Sequence, residues 1–421
     1  MRKLLMISPI VLVIVIWAVT LAVAALPFAF PERFDIAIEL LERQHLTVED
    51  FSATGAAWLA VAFIVFVCAS IVTMLALPSK PKPFETNIDL DRVARAAFIL
   101  NAVFVTITLL WVSLTAQSMG GFRTMLLLVQ LDALEAREAL LDNKLFTGMR
   151  VIYASLPATG AIAATILAAG KRQGGLSPKY RQLCLISFSV NLVMLALLPI
   201  VMSQRLLLLQ LIMAAYFSTC MVHRRLIGLQ YLPIGFVLFM STWIGRESVT
   251  NATIGASPIE VGFEKLVFYF SNDLLNSFMP LNREFDHTYG FFTFKFATYF
   301  TQTDGFFRSL LVDQLEAVDA IRGGGAWSIF TMPYVDFGAV GASLYIAAIA
   351  VISAIVFHKG VESISGAAIY GLFAGGYVLC THTLYFANTN FVAMVMITAF
   401  IGSFAKPRQQ SRNALTVQPA E

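Results

Sequence analysis

The sequence predicts an all-α, multi-pass membrane protein, and two features of its composition lead to this fold class. Of its 421 residues, 58% are hydrophobic and only 13% are charged, and the mean hydropathy is +0.75. Soluble domains carry about 25% charged residues, so this chain needs lipid around much of its surface. The composition excludes a soluble enzyme and a nucleic-acid-binding protein. A net charge of +3 indicates no polyanionic partner.

Apolar runs of the length that crosses a bilayer, about 20 residues, predict ten membrane spans. They lie at 4–30, 55–77, 93–117, 149–170, 182–203, 206–222, 226–245, 333–357, 364–384 and 389–405. Gln204 and Arg205 alone separate the fifth span from the sixth, which predicts a tight helical hairpin.

The distribution of lysine and arginine predicts which segments face the cytoplasm. With the N-terminus inside, the inner segments and adjacent span ends hold 16 of the 29 basic residues but only 5 of the 26 acids. An even number of spans then places both termini in the cytoplasm. We expect four parts: a membrane domain with seven spans (1–245), a long periplasmic loop (246–332), three C-terminal spans (333–405) and a cytoplasmic tail (406–421).

The long loop is apolar and aromatic, with 14 of the 35 phenylalanines between Phe263 and Phe337. After Pro258, the residues Phe263, Leu266 and Phe270 follow a helical period, which predicts an amphipathic helix. We expect this helix to lie at the outer membrane boundary with its apolar side toward the lipid. The working surface of the protein is therefore expected to face outward.

Four arginines of the outer segments are candidates for binding an anionic group: Arg205, Arg246, Arg283 and Arg322. A charge facing lipid costs at least a few kcal/mol, so Arg205 needs a carboxylate, a phosphate or the lipid headgroups as its partner. A guanidinium binds phosphate through two parallel hydrogen bonds. The alternatives are headgroup contact for Arg205, an interface anchor for Arg246 and a helix stop at the three glycines after Arg322.

Candidates for acid–base chemistry cluster in the loop segment 282–290, which contains Asp286 and His287. A solvated turn is the alternative interpretation of this segment. Asp336 begins the eighth span, deeper than a loop acid, so we expect it to pair with an arginine and orient it. His382 is expected at a helix end or facing a cavity. The cysteines form no cluster with histidines, so the sequence predicts neither a metal site nor a cofactor.

Short motifs and the overall layout resemble the Wzy-type polymerases of lipid-linked oligosaccharide repeat units. The similar features are the step Ser203-Gln204-Arg205 at an outer hairpin and the segment Tyr334-x-Asp336-Phe337-Gly338-x-x-Gly341. The chain resembles more remotely the O-antigen ligases of the same glycosyltransferase-C-like superfamily. The ligases carry a His-Asn pair before the acid-x-Gly segment, but here the region reads Gly325-Ala326-Trp327-Ser328, which favours the polymerase.

The resemblance implies a glycosyltransferase of the bacterial inner membrane, with a glycosyltransferase-C-like fold. It would join undecaprenyl-pyrophosphate-linked repeat units into O-antigen, capsule or exopolysaccharide at the outer face. Arg205 and Arg246 would bind the pyrophosphate, assisted by Arg283 or Arg322. His287 or Asp286 would act as the base. The implied partners are the lipid-linked oligosaccharide, membrane lipid and a chain-length regulator. An O-antigen ligase, another outer-face transferase and a flippase or transporter remain open alternatives; mid-span regions almost free of charge disfavour transport.

Overall fold

The computed structural model describes most of the chain. The described residues are 2–78, 81–86, 88–131, 133–144, 146, 148–199, 206–250, 257–321 and 326–405. This part of the chain is helical and contains no β-strand, which confirms the predicted all-α class. It contains seven helices that are long and apolar enough to cross a membrane, as a multi-pass membrane protein requires.

The first half of the chain folds into long apolar helices joined by short ones. They are α1 (Pro9–Ala24), α2 (Leu26–Ala29), α3 (Asp35–Arg43), α4 (Ala53–Ala76), α5 (Leu90–Ser118), α6 (Phe122–Leu131), α7 (Ala133–Asp142), α8 (Met149–Ala154), α9 (Leu156–Gln173) and α10 (Pro178–Leu197). Several begin where the sequence provides a start signal. Ser8, for example, accepts a hydrogen bond from the amide of Val11 and precedes Pro9 in the first turn of α1.

The second half contains the remaining long helices and most of the predicted long loop. They are α11 (Leu206–His223), α12 (Leu232–Thr250), α13 (Pro258–Phe278), α14 (Lys295–Phe300), α15 (Asp304–Leu310), α16 (Val312–Ile321), α17 (Met332–Gly360), α18 (Ile364–Val378) and α19 (Thr389–Gly402). The helix α17 is broken at Gly338, whose φ of +65° and ψ of −174° lie outside the helical region. The predicted long loop is thus helical over much of its length.

Seven of the ten predicted spans coincide with helices of spanning length, and three do not. The seven helical stretches are Pro9–Ala29, Ala53–Ala76, Leu90–Ser118, Met149–Gln173, Pro178–Leu197, Leu206–His223 and Met332–Gly360. The predicted spans at 226–245, 364–384 and 389–405 coincide with shorter apolar helices. A helix of 15 residues such as α18 is only about 22 Å long, less than the hydrocarbon core of about 30 Å.

Two of the spanning stretches lie inside the bundle and five lie around them. In the spanning windows of Met149–Gln173 and Leu206–His223, 78% and 61% of the residues are buried, against 22–33% in the other five. The short helix α18 is buried along nearly its whole length and packs against both α9 and α11. The helices α9, α11 and α18 therefore form the interior of the membrane domain.

Small and polar side chains hold these interior helices together. A Cβ atom at Gly371 of α18 would lie 2.3 Å from the carbonyl oxygen of Ala214 in α11, so only glycine permits this close approach. Thr159 of α9 donates to Asn101 Oδ1 at 2.7 Å, and Asn191 Nδ2 donates to the same oxygen at 2.8 Å. These buried hydrogen bonds join α5, α9 and α10 within the membrane domain.

Candidate functional site

The segment between α18 and α19 is not a regular helix, although the apolar run at 364–384 continues through its first part. Residues 379–388 form turns and one short 3-10 helix, and most of their side chains are buried by the surrounding helices. Irregular backbone at membrane depth is stable only where protein covers it or where it lines a cavity. In many transporters such interruptions of membrane helices form the binding site, so this segment is a candidate binding site.

An apolar cavity of about 360 Å³ lies beside this segment. Its walls come from α1, α11, α12, α13 and the turn that follows α18. The lining residues are Ile16, Val19, Leu206, Leu209, Met213, Phe236, Phe239, Trp243, Leu266, Tyr269, Phe270, Asp273, Val378, Leu379, Thr381 and His382. Aliphatic and aromatic side chains dominate this lining. Its acid and its histidine, Asp273 and His382, come from different elements.

The helix α13 carries Asp273 into the cavity wall. The sequence predicted this helix after Pro258, and the structure confirms it, but its predicted place at the lipid boundary is wrong for its C-terminal half. That half is buried inside the protein: Ser271 donates to the carbonyl oxygen of Ala24 at the end of α1, and Ser277 accepts from the amide of Ser328 in the segment before α17. The buried polar residues are Ser271, Asn272, Asp273, Asn276 and Ser277.

Asp273 and His382 form a hydrogen-bonded acid–histidine pair at the cavity wall. His382 Nδ1 donates to Asp273 Oδ2 at 2.5 Å. The Asp273 side chain is 7% exposed, whereas the His382 side chain keeps 31% of its surface accessible. A carboxylate that accepts from Nδ1 fixes the tautomer of the neutral imidazole and leaves the lone pair on Nε2. The pair therefore presents a proton acceptor next to an apolar volume.

Buried hydrogen bonds hold the elements around the pair in place. Thr20 of α1 donates to Thr381 Oγ1 at 3.1 Å, and Ser271 of α13 donates to the carbonyl oxygen of Ala24 at 3.1 Å. The backbone amide of Ile329 donates to the carbonyl oxygen of Cys380 at 2.8 Å. Hydrogen bonds thus join the turn that carries His382 to α1 and to the segment that precedes α17. These contacts hold the His382 ring in a defined position.

Asp336 is buried and binds a loop rather than an arginine. It accepts from the Thr288 hydroxyl, from the Phe292 amide at 3.2 Å and from the Thr293 amide at 2.6 Å. The sequence predicted an arginine partner, and among the described residues the partners are these neutral groups instead. The loop 288–293 supplies enough donors to satisfy the carboxylate, so no cation is needed to bury it.

His287 lies next to this loop and packs over Gly338. Its Nδ1 donates to the carbonyl oxygen of Val335 at 3.2 Å, and its ring makes edge contacts with the rings of Phe285 and Tyr334. A Cβ atom at Gly338 would lie 2.7 Å from His287 Nε2, so the peptide chain occupies that side of the ring. The structure therefore brings His287 and Asp336 into one region, at the break of α17.

The four predicted arginines are placed only in part. Arg205 and Arg322 lie outside the described residues. Arg246 belongs to α12, and its side chain is outside the described part. Arg283 and Asp286 are exposed. The pyrophosphate site predicted for the four arginines therefore stays a prediction. Leu206, which follows Arg205 directly in the chain, lines the cavity.

Sequence reasoning missed Asp273, which is one half of the buried pair. Its signal was present: an acid within an apolar helical pattern, next to Asn272 and three residues before Asn276. An ionisable residue in such a place needs a partner. The partner, His382, is 109 positions away in the sequence, so the pairing was visible only in the tertiary structure.

Comparisons of the chain with protein-family models, with curated proteins and with solved structures found no match. The resemblance to Wzy-type polymerases stays a prediction from the layout and the short motifs.

Proposed function

We propose that the protein is a glycosyltransferase of the bacterial inner membrane that polymerises lipid-linked oligosaccharide repeat units. The growing glycan would leave its undecaprenyl pyrophosphate and join a hydroxyl group of the next lipid-linked unit at the outer face of the membrane. The observation that carries this proposal is the apolar cavity with an acid–histidine pair in its wall. A largely apolar pocket with a few convergent polar groups is the usual form of a ligand site.

The chemistry of the cavity suits an amphiphile. Phe236, Phe239 and Leu266 line the cavity with apolar surface, which favours an isoprenoid chain. Thr381 and His382 add polar groups to the same wall, where they favour the head of such a molecule. A substrate that is polar or apolar throughout would match only part of this lining. A lipid-linked sugar matches both parts.

The positions of two arginines in the sequence support the same substrate. Arg205 immediately precedes Leu206, and Arg246 follows Trp243 by three residues in α12; Leu206 and Trp243 both line the cavity. The leaving group of the reaction is a pyrophosphate. Fixed guanidinium groups stabilise its developing negative charge without having to reorganise. We assign Arg205 and Arg246 to this role, with Arg283 or Arg322 assisting.

The deciding experiment is a gel of the surface glycan and of the lipid-linked pool from a strain that lacks this gene. The proposal expects single repeat units on the lipid carrier and no ladder of longer chains. Long lipid-linked polymer without transfer would identify a ligase. Repeat units confined to the cytoplasmic leaflet would identify a flippase, and an unchanged ladder would reject all three functions.

The arginine assignment predicts a large loss of polymer in Arg205→Ala and in Arg246→Ala. Each donor removed from a site of charge development costs about 10²–10³-fold in rate. Lysine at either position is expected to restore little activity, because it lacks the forked geometry that binds phosphate twice. The measurement is the rate of ladder formation in membranes with equal amounts of each variant.

Arg43→Ala is the matched control for this series. Arg43 lies in α3, in another predicted outer segment, and forms an exposed ion pair with Glu39. Such surface pairs contribute at most about 1 kcal/mol, so polymer formation should be unchanged. Full activity in both Arg205→Ala and Arg246→Ala would remove the pyrophosphate site from the proposal.

A further inference from the structure

We propose that His382 is the general base of the glycosyl transfer and that Asp273 is its positioning residue. This inference rests on the proposed function and deepens it. It places the proton acceptor in the buried turn after α18, whereas the sequence pointed to Asp286 and His287 in the long loop. The evidence is the geometry of the pair, its place in the cavity wall and the different surroundings of the other candidates.

The geometry gives the neutral ring of His382 the correct tautomer for a base. Because Asp273 Oδ2 accepts from Nδ1, the proton of the neutral ring lies on Nδ1 and Nε2 carries the lone pair. Among the described residues, Nε2 has no hydrogen-bond partner. His382 lines the cavity and 31% of its side chain is accessible, so the ring is open to a hydroxyl group bound there.

The surroundings of His287 differ in the position of its second nitrogen. Its Nδ1 also faces an acceptor, the carbonyl oxygen of Val335. Its Nε2, however, lies against Gly338. A Cβ atom added to that glycine would be only 2.7 Å from Nε2, so the backbone leaves no room for a substrate on that side of the ring. Asp286 is exposed, and neither residue lines the cavity. Of the described candidates, His382 alone combines an Nδ1 that is hydrogen-bonded to a carboxylate with a partly accessible ring in the wall of an apolar pocket.

The reaction step balances with this residue as base. The hydroxyl oxygen of the acceptor sugar forms a bond to the anomeric carbon of the donor, and the bond from that carbon to the pyrophosphate oxygen breaks. The pyrophosphate leaves with the electron pair, and the hydroxyl proton moves to Nε2 of His382. The carboxylate of Asp273 stabilises the imidazolium that forms, as the acid of a catalytic triad does. The imidazolium then returns its proton to the departing phosphate or to water.

The test uses the full-length protein, purified and reconstituted in lipid, with undecaprenyl-pyrophosphate-linked repeat units as substrate. His382→Gln is expected to lower kcat by about 10²–10⁴-fold, the usual contribution of a general base. Asp273→Asn is expected to lower kcat by at least about 10²-fold with KM unchanged, because an asparagine no longer fixes the tautomer. His45→Gln, on an exposed turn of another predicted outer segment, is the matched control and should retain wild-type kcat.

Four outcomes decide the proposal, with rates expressed per mole of folded, monodisperse protein. A fall in kcat in both variants at constant KM supports it. Normal kcat in both variants overturns it, and so does a rise in KM alone, which would make the pair a binding element. Loss of turnover in His287→Gln together with normal turnover in His382→Gln overturns it in favour of the long loop. The gene-deletion gel tests the proposed function separately from the assignment of the base. An unchanged ladder in that gel rejects the proposed function itself, whatever the variants do.

Discussion

Asp336 and Asp273 are both buried carboxylates, with relative exposures of 0% and 5%, but they have different kinds of partner. Asp336 is bound by a hydroxyl group and two backbone amides, from Thr288, Phe292 and Thr293. Asp273 has, beside neutral donors from Ala326 and Asn272, an imidazole partner, that of His382. The donors at Asp336 are neutral groups that do not exchange their charge state with solvent, whereas an imidazole such as that at Asp273 can take up and release a proton.

This difference distinguishes an acid held only by neutral groups from an acid paired with a titratable ring. The loop 288–293 closes around Asp336, and no cavity-lining residue belongs to that loop. Asp273 instead lies in a cavity wall together with its partner. Burial of an acid by itself therefore does not identify a catalytic site in this protein. The nature of the partner and the presence of space beside it carry that information.

Asp336→Ala is expected to have the largest effect on stability, and it tests whether this carboxylate holds the loop 288–293 in place. This change leaves a hydroxyl and two amide donors without their acceptor, and hydrogen bonds to a charged group contribute about 1.5–3 kcal/mol each. We expect a loss of about 3–5 kcal/mol in the free energy of unfolding, because an unsatisfied buried donor costs about 1–3 kcal/mol and three donors lose their acceptor. The measurement is thermal unfolding of the purified protein in detergent.

Asp273→Asn is the matched control for that stability measurement. Asparagine has nearly the same shape, and its amide group can donate to Nδ1 of the other imidazole tautomer, so a hydrogen bond to His382 is kept although the tautomer is not. We therefore expect a smaller loss of stability than in Asp336→Ala, together with the loss of turnover proposed above. Equal loss of stability in the two variants would remove the distinction between the acids.

Gly338→Ala tests the Asp336 region with an intermediate effect. At φ +65° and ψ −174° an alanine is strained by about 1–3 kcal/mol, and its Cβ would displace the His287 ring. We expect a drop in stability of that size, measured in the same assay. Gly305→Ala is a suitable control, because a Cβ there meets no atom within 4 Å. A wild-type melting temperature for Gly338→Ala would contradict this prediction. It would show that residue 338 can adopt another backbone conformation without a loss of stability.

Asn191→Ala is expected to have the smallest effect of the series. It removes the hydrogen bonds to Asn101 and Thr159, which lie within the membrane domain and far in sequence from both acids. Polar contacts between membrane helices contribute about 0.6 kcal/mol on average and at most about 1.7 kcal/mol. Turnover should be unaffected. A loss larger than that of Gly338→Ala would mean that these helices depend on the polar contact more than on close packing.

The sequence determined the membrane class and most of the helices, because these follow from local composition. Seven predicted spans, such as 55–77, coincide with long helices, and the helix after Pro258 begins as its pattern predicts. Apolar runs locate buried segments but do not distinguish a helix from a covered turn. The run at 364–384 was therefore predicted as one span, although α18 ends at Val378.

The site was decided by tertiary structure, because its parts come from distant segments. The sequence singled out Asp336 from its depth in a span, but only packing showed that neutral donors of the loop 288–293 bind it. Asp273 and His382 meet because α13 leaves the predicted lipid boundary and enters the bundle. Hydropathy measures how much a segment avoids water. Which buried polar groups meet one another depends on the three-dimensional path of the chain, and that path created the pair beside the cavity.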